Sequence, residues 1–293
     1  MATVIKPQPL AQSKPGSISW FKRQVVLVPE MLALPLVFGL YLATNRPLGL
    51  ALLGEALIGL FLLRTGLLWA AGRAWMVGRY QRAERYARWS LRVYPWSADG
   101  VVLLAIIRLA QGKTEDAAAL YGRASTLFPG FAPFYVGLSQ ALAAERRWAE
   151  ARIVAMAALA LDDQCAAAYA QLAQLALHLN ESNAVVNQWV DAGLAAGAAL
   201  PIQAALYTAR ADVALRMEQP HLAEVAIEQA TIALVECPAA QQAELGFYLG
   251  QLRRKLGACD AARTDFERVG VIDPEGRWVN AAWRAKLETK IAA

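Results

Sequence analysis

Two long apolar runs open the chain, and shorter amphipathic segments recurring at a fixed interval follow them. Residues 24 to 43 give 20 positions with Glu30 as their only charge, enough at about 1.5 Å per residue to cross about 30 Å of hydrocarbon. Leu48 to Gly72 adds 25 more, interrupted only by the charges of Glu55 and Arg64. The connector Thr44-Asn45-Arg46-Pro47 is short, with Asn45 suited to a cap and Pro47 to a first helical turn. The pattern predicts a two-helix transmembrane hairpin over 24–72. A monotopic hairpin that enters and leaves one leaflet is the competing arrangement, because Pro29, Pro35 and the acidic residues weaken both spans.

Beyond the second run the chain is rich in Ala and Leu and poor in period-two alternation, which favours helix throughout. Turn signals are periodic: Pro95 and Pro129 are 34 residues apart, and Asp163 stands 34 further on. Pro238 and Pro274 are 36 apart, and the 75 residues between Asp163 and Pro238 hold two units with a lengthened loop around Gly197 to Pro201. No such unit buries its apolar face alone, so a fixed period of this length predicts stacked helix pairs.

The residues within each unit resemble the tetratricopeptide repeat family. Gly78-Arg79-Tyr80-Gln81-Arg82-Ala83 looks like that family's turn into a second helix, with Pro95 closing the unit. The next unit has Leu104-Ala105, then Gly112, Ala117, Tyr121, Ala124 and Pro129. The third has Tyr135, Leu138, Ser139, Trp148, Ala151 and Ala158, and the fourth Tyr169, Leu172, Ala173, Trp189 and Ala192. A divergent fifth keeps Ala214, Ala226, Ala230, Ala233 and Pro238, and the last Leu249-Gly250, Gly257, Ala262, Phe266 and Asp273-Pro274. The resemblance covers about two-thirds of the chain and implies an all-α fold: the hairpin, then a solenoid of five to six helix pairs over 73–274.

Counting back from Pro95 places the first unit's first helix on residues 64 to 77, so the second span is expected to run on into the solenoid. Residues 275–293 read as an amphipathic capping helix, Trp278, Trp283 and Leu287 alternating with Arg277, Arg284, Lys286, Glu288 and Lys290. Residues 1–23, with Pro7, Pro9, Pro15 and Gly16, read as a flexible cytoplasmic tail.

Charge sharpens this layout. Residues 1 to 95 carry 12 Lys and Arg against 3 Asp and Glu, and the remainder 17 against 21. Basic residues flank the hairpin at both ends, with Arg46 alone between the spans. This predicts an inner, cytoplasmic membrane protein with both termini cytoplasmic. Trp20, Trp69 and Trp75 would lie at that interface. A basic collar beside lipid, with an acidic remainder, argues against nucleic acid as partner. Arg79, Arg82, Arg85, Arg88 and Arg92, three or four apart, predict a helical stripe facing lipid headgroups. Within the spans, Glu30 and Arg64 lie at depths that differ by about one turn. They either pair across the hairpin, or Arg64 snorkels while Glu30 sits in headgroups. Glu55, deeper, is a candidate contact with another membrane subunit.

Catalytic and metal chemistry find no foothold. Cys165, Cys237 and Cys259 are dispersed, His178 and His221 are the only histidines, and no nucleophile–base set, phosphate loop or ligand spacing occurs. The chain reads as a non-enzyme without cofactor or metal. The resemblance implies a partner groove lined by each unit's first helix, here Val102, Ile106 and Leu109, then Val136, Gln140 and Ala143, then Ala170, Gln174 and Leu177. The Lys and Asn with which one class of the family clamps a terminal carboxylate are missing, so an apolar peptide or protein surface is the expected ligand. The layout fits a scaffold for assembly or stabilisation of a membrane protein complex, with a permanent structural subunit and an enzyme-regulatory module as alternatives.

Overall fold

In the computed structural model, which describes residues 30–43 and 47–292, the chain forms fourteen α-helices and a short 3-10 turn, with no strand among the described residues. The tail (1–23), residues 24–29 of the expected first span and the connector residues 44–46 lie outside the described residues. Helix α1 (Glu30–Ala43) packs against α2 (Pro47–Met76), with Val37 beside Gly54. Paired helices follow as α3 (Tyr80–Val93), α4 (Ala98–Ala110), α5 (Thr114–Leu127), α6 (Ala132–Ala144), α7 (Trp148–Leu161), α8 (Ala166–His178) and α9 (Asn183–Ala195). Then come α10 (Leu200–Arg216), α11 (Pro220–Ala233), the 3-10 turn Leu234–Glu236, α12 (Ala239–Lys255), α13 (Cys259–Ile272) and α14 (Val279–Ala292).

Helix α2 is one unbroken helix of 30 residues. Its last turns belong to the solenoid: Ala71 is fully buried in a cluster with Tyr80, Ala83, Ala87, Leu104 and Ile107, and Ala74 and Trp75 pack on it. Trp75 is therefore core, which corrects its expected place at the interface. The helix ends because Gly78 takes φ +73°, a conformation open to glycine without steric penalty, and the turn closes through Gly78 N–H to Trp75 C=O at 3.0 Å and Arg79 N–H to Ala74 C=O at 2.9 Å.

The same left-handed turn recurs between the two helices of every unit, but glycine does not. Gly112 and Gly257 occupy it in the second and last units, whereas Arg146 (φ 61°), Asn180 (φ 54°) and Glu218 (φ 59°) occupy it in between.

First helices begin at Ala98, Ala132, Ala166 and Leu200, so the 34-residue period persists one unit further than the turn signals indicate. The next begins at Ala239, and the additional residues sit in α10, 17 residues long against 13 in α4, α6 and α8, and in the 3-10 turn. The expected long loop at Gly197 to Pro201 is instead a short turn, with Pro201 already inside α10.

Small residues meet large rings between units. A Cβ on Gly137 would fall 2.1 Å from the Tyr121 ring, and one on Gly250 would fall 2.6 Å from Phe266. Successive first helices also touch one another (α4 with α6, α6 with α8, α8 with α10, α10 with α12), which puts them on the inside of a curved stack. The curve returns on itself: Gly78, at the C-terminal end of α2, lies against Ala239, at the start of α12, and against Asp273, while Ala240 packs on the Ala71–Tyr80 cluster. Tyr80 is fully buried with its phenol beside the Asp273 carboxylate, and burial followed by that carboxylate raises its pKa well above the ordinary phenol value.

The cap departs from expectation. Helix α14 buries Ala282, Ala285 and Thr289, while Trp283 and Leu287 are more than half exposed. Only Trp278, just before the helix, packs inward, stacked on Phe247 at 5.1 Å between ring centroids. Small residues allow α14 to approach closely, and that turns its bulky side chains outward.

Candidate interaction surfaces

The projecting hairpin is the largest apolar surface described. Leu36, Phe38 and Leu42 on α1 and Leu48, Leu52 and Leu62 on α2 are 58–75% exposed, far beyond scattered surface leucines. Residues Leu48–Met76, 29 positions, are long and apolar enough to cross a membrane; α1, as described, is shorter. Glu55 is exposed on α2. Glu30 opens α1, and its side chain lies outside the described residues.

Arg64 marks the base of the hairpin. It is only 5% exposed, and its guanidinium lies 5.3 Å from the Tyr94 ring centroid and 5.8 Å from that of Phe61. Snorkelling to water is thus replaced by burial under the turn that follows α3.

On α3, Tyr80, Ala83, Ala87 and Ser90 face the core, while Arg82, Arg85, Arg88 and Arg92 are exposed with Trp89 on the opposite side. Arg79, also exposed, precedes the helix and with Gln81, Arg82, Arg85 and Glu275 lines a concavity of about 320 Å³. Arg88 pairs with Glu84 at 2.8 Å. Glu84 also accepts from Arg108 at 2.9 Å and Gln111 at 3.0 Å, which ties the first unit to the second.

The inner face changes character along the stack. In the second to fourth units, Val102, Ile106, Leu109, Gln174 and Leu177 are half-buried and Gln140 is exposed. In the later units charge takes over: Asp212 on α10 pairs with Lys255 on α12 at 2.9 Å and with Arg216 of its own helix at 3.2 Å, and Glu244 on α12 pairs with Arg277, in the segment before α14, at 2.9 Å. The His178 ring stacks on Trp148 at 4.3 Å, and partial withdrawal from water lowers its pKa, opposed by Asp212.

Residues 108–176 match the sequence profile of the tetratricopeptide repeat family. The fold is a tetratricopeptide solenoid. Among solved structures, the chain is similar to one from the APC/C hetero-tetramer Cut9-Hcn1, with 18% identity and TM-score 0.54, covering 92% of this chain and 49% of that one. It thus spans about half of that protein's length. PilF of Pseudomonas aeruginosa gives 16% identity and TM-score 0.50 over 80% of this chain and all of that one. PilW, a widely conserved type IV pilus biogenesis factor, gives 15% and 0.51 over 75% and 98%. At these identities the likeness shows the fold. None of the curated protein sequences matches the chain.

Within the tetratricopeptide-like solenoid the expected groove needs two corrections. Val136 is 4% exposed and packs with Ala132, Ala158, Cys165 and Ala168, and Ala170 is buried in the cluster with Ala166, Ala173 and Leu206, so both serve the core and offer nothing to a partner. Val102, Ile106 and Leu109 also pack on Ala105, Ala117 and Tyr121, and each leaves only part of its surface to the groove. The charged positions Asp212, Arg216 and Glu244 escaped the sequence reading because the 34-residue register stops beyond Leu200. The one available signal was the clustering of Asp212 and Arg216 late in a helix whose apolar pattern overruns the usual 13 positions. Burial raises the thiol pKa of Cys165, and that of Cys237 to about 11, so both are protonated near neutrality and pack as small apolar groups.

Proposed function

We propose that this protein is a membrane-anchored, non-catalytic adaptor in which the α1–α2 hairpin sits in the inner membrane and the tetratricopeptide solenoid binds a protein partner during assembly or stabilisation of a membrane protein complex. The observation that carries the reading is the exposed apolar hairpin, continuous through α2 with the core of the first helix pair. Water would not tolerate so many adjoining leucines on a free surface, and lipid or a membrane subunit removes that penalty. The excess of basic residues on both flanks of the hairpin supports cytoplasmic termini. A solenoid of related fold acts in biogenesis in PilW, and Cut9 works inside a larger assembly.

The inner face suits a partner that presents an apolar strip toward the second to fourth units and charge toward the last two. Glu55, exposed in the projecting half of α2, is the hairpin's candidate contact with a membrane subunit.

Purification of the full chain from membranes, followed by mass spectrometry, tests the proposal. It predicts that the chain resists alkaline extraction and brings down subunits of one membrane complex, enriched in precursor forms. Stoichiometric recovery with the mature complex would make it a permanent subunit instead. A chain found in the soluble fraction, or without membrane partners, would contradict the proposal.

A further inference from the structure

The hairpin projects less far than a bilayer is thick. From Leu48 to Leu63, the stretch of α2 before Arg64 is buried under Tyr94, about 16 residues span about 24 Å, against about 30 Å of hydrocarbon. If α2 crosses, the solenoid cannot hang below the membrane. Its edge at Tyr94 must press into the headgroup layer.

That edge is built from the turns joining each unit to the next. The first, Tyr94-Pro95-Trp96, leaves Trp96 59% exposed, held edge-on to Tyr94 at 6.1 Å. The second, Phe128-Pro129-Gly130-Phe131, leaves Phe131 43% exposed, held edge-on to Phe134 at 4.8 Å. The third is Asp162-Asp163-Gln164, fully polar and exposed. Arg123 donates to the Pro95 carbonyl at 2.8 Å, which places a second cation beside Arg92 at the first turn.

The curvature of the stack accounts for this change in composition. Gly78 lies 14 residues beyond Arg64, about 21 Å along α2, and it meets Ala239, where the last unit begins, and Asp273, where it ends. The edge therefore climbs away from the hairpin by about 20 Å over the four steps from the Tyr94 turn to the turn before Ala239, or about 5 Å per step. With the bilayer thinned locally to the hairpin's length of about 24 Å and a headgroup layer about 5–7 Å deep on each side, the first two turns fall inside that layer and the third clears it. The aromatic turns are the ones within the layer, and the acidic one lies beyond. Arg79 and Arg82, near the start of α3 and about 18 Å or more from Tyr94, lie out of reach of the headgroups.

We infer that the edge formed by the first two inter-unit turns, with Trp96 and Phe131 flanked by Arg92 and Arg123, is a bilayer-contact surface that seats the solenoid in the headgroup layer. It deepens the proposed anchoring and rests on α2 crossing the membrane. Rings with one wet and one apolar side favour that depth, and the two cations complement anionic headgroups.

Spin labels test this in the full chain with Cys259→Ser, since Cys165 and Cys237 are buried. Single labels are placed through Ile58→Cys, Trp96→Cys, Phe131→Cys or Asp163→Cys, all at exposed positions, and the protein is reconstituted in phosphatidylcholine–phosphatidylglycerol vesicles. Collision with oxygen and with a nickel chelate then reports depth. The expected result is hydrocarbon depth at 58, loss of nickel accessibility at 96 and 131, and full accessibility at 163. Because Trp96→Cys removes the ring under test, Trp96→Phe is compared with the unaltered chain for tryptophan quenching by brominated lipid; the emission lost is expected to be a strongly quenched component. Hydrocarbon depth at 58 with 96 and 131 as accessible as 163 would overturn the inference and leave the anchor standing; a protein partner on these rings gives that same result in pure vesicles. An aqueous label at 58 would overturn both.

Discussion

The two parts of helix α2 differ in composition and in fate. From Leu48 to Leu63 its leucines stand exposed, with only α1 packed beside them, while from Arg64 to Met76 the same helix buries Arg64 and Ala71 under α3 and α4. Hydropathy already separates the two: Leu48–Leu63 holds eight Leu with Ile58 and Phe61 against the single charge of Glu55, whereas Arg64–Met76 holds two Leu against Arg64 and Arg73. Size at the contact separates them further. Ala71, Ala74 and Gly78 let neighbouring backbones approach, whereas Leu52 and Leu62 present bulk to whatever surrounds the hairpin. A single helix thus carries the exposed hairpin, the proposed anchor, at one end and serves as the first helix of a solenoid at the other, with no break between.

Substitutions can break or sharpen that comparison. The largest effect is expected from Ala71→Glu, which puts an unpaired charge into a fully buried site and should destabilise the full chain by about 4 kcal/mol or more in denaturant titrations in micelles. A loss below about 1 kcal/mol would mean that α2 is not part of the core. Gly137→Ala asks whether close approach governs the later units as well. Its Cβ would meet the Tyr121 ring at 2.1 Å, so a loss of about 1–3 kcal/mol is expected by the same titration. Arg146→Gly should act in the other direction, because a left-handed turn held by arginine at φ 61° stores about 1 kcal/mol that glycine releases; a raised melting temperature is the readout.

A smaller effect concerns pH. The pKa of His178 lies below its ordinary 6.5 in the folded chain, so the unfolded chain binds more protons in the window below about 6.5. The contribution of His178 is complete above that value and declines as pH falls through it. His178→Phe, which keeps a ring on Trp148, should flatten the dependence of stability on pH over that window. The smallest effect on folding belongs to Leu62→Gln in the projecting half, 60% exposed: within about 0.5 kcal/mol in micelles, with a measurable loss of partition into vesicles.

Much of the solenoid was legible because its period is carried by residues with a local mechanism. Pro95 and Pro129 close units, Gly78, Gly112 and Gly257 set turns, and Tyr121 and Phe266 fill space between pairs. Where the mechanism is less local, the reading slipped. Arg146, Asn180 and Glu218 hold the same backbone turn as glycine without announcing it; asparagine adopts that conformation readily, whereas arginine and glutamate rarely do. The added turn of α10 looked like a long loop because Gly197 and Pro201 are turn residues, yet the proline sits early in the helix, where its missing N–H is not needed. Among candidate contacts, the exposed Arg82, Arg85, Arg88 and Arg92 followed from helical spacing, whereas the burial of Val136, the outward turn of Trp283 and the charged inner wall at Asp212, Arg216 and Glu244 depend on how neighbouring units curve. Closure of the stack through Gly78, Tyr80 and Asp273 joins residues about two-thirds of the chain apart, and no local pattern encodes it.

The central claim is that hairpin and solenoid are one rigid piece. The most direct test is the distance between a spin label on the projecting half of α2, at Ile58→Cys, and one on α5, at Thr126→Cys, in the full chain reconstituted in lipid. Both positions are exposed, and the helix between hairpin and core is unbroken. Rigid coupling predicts one narrow distance distribution, unchanged between micelles and vesicles. A broad distribution, or one that shifts with the membrane mimetic, would show a hinge between Leu63 and Ala71 and contradict the account.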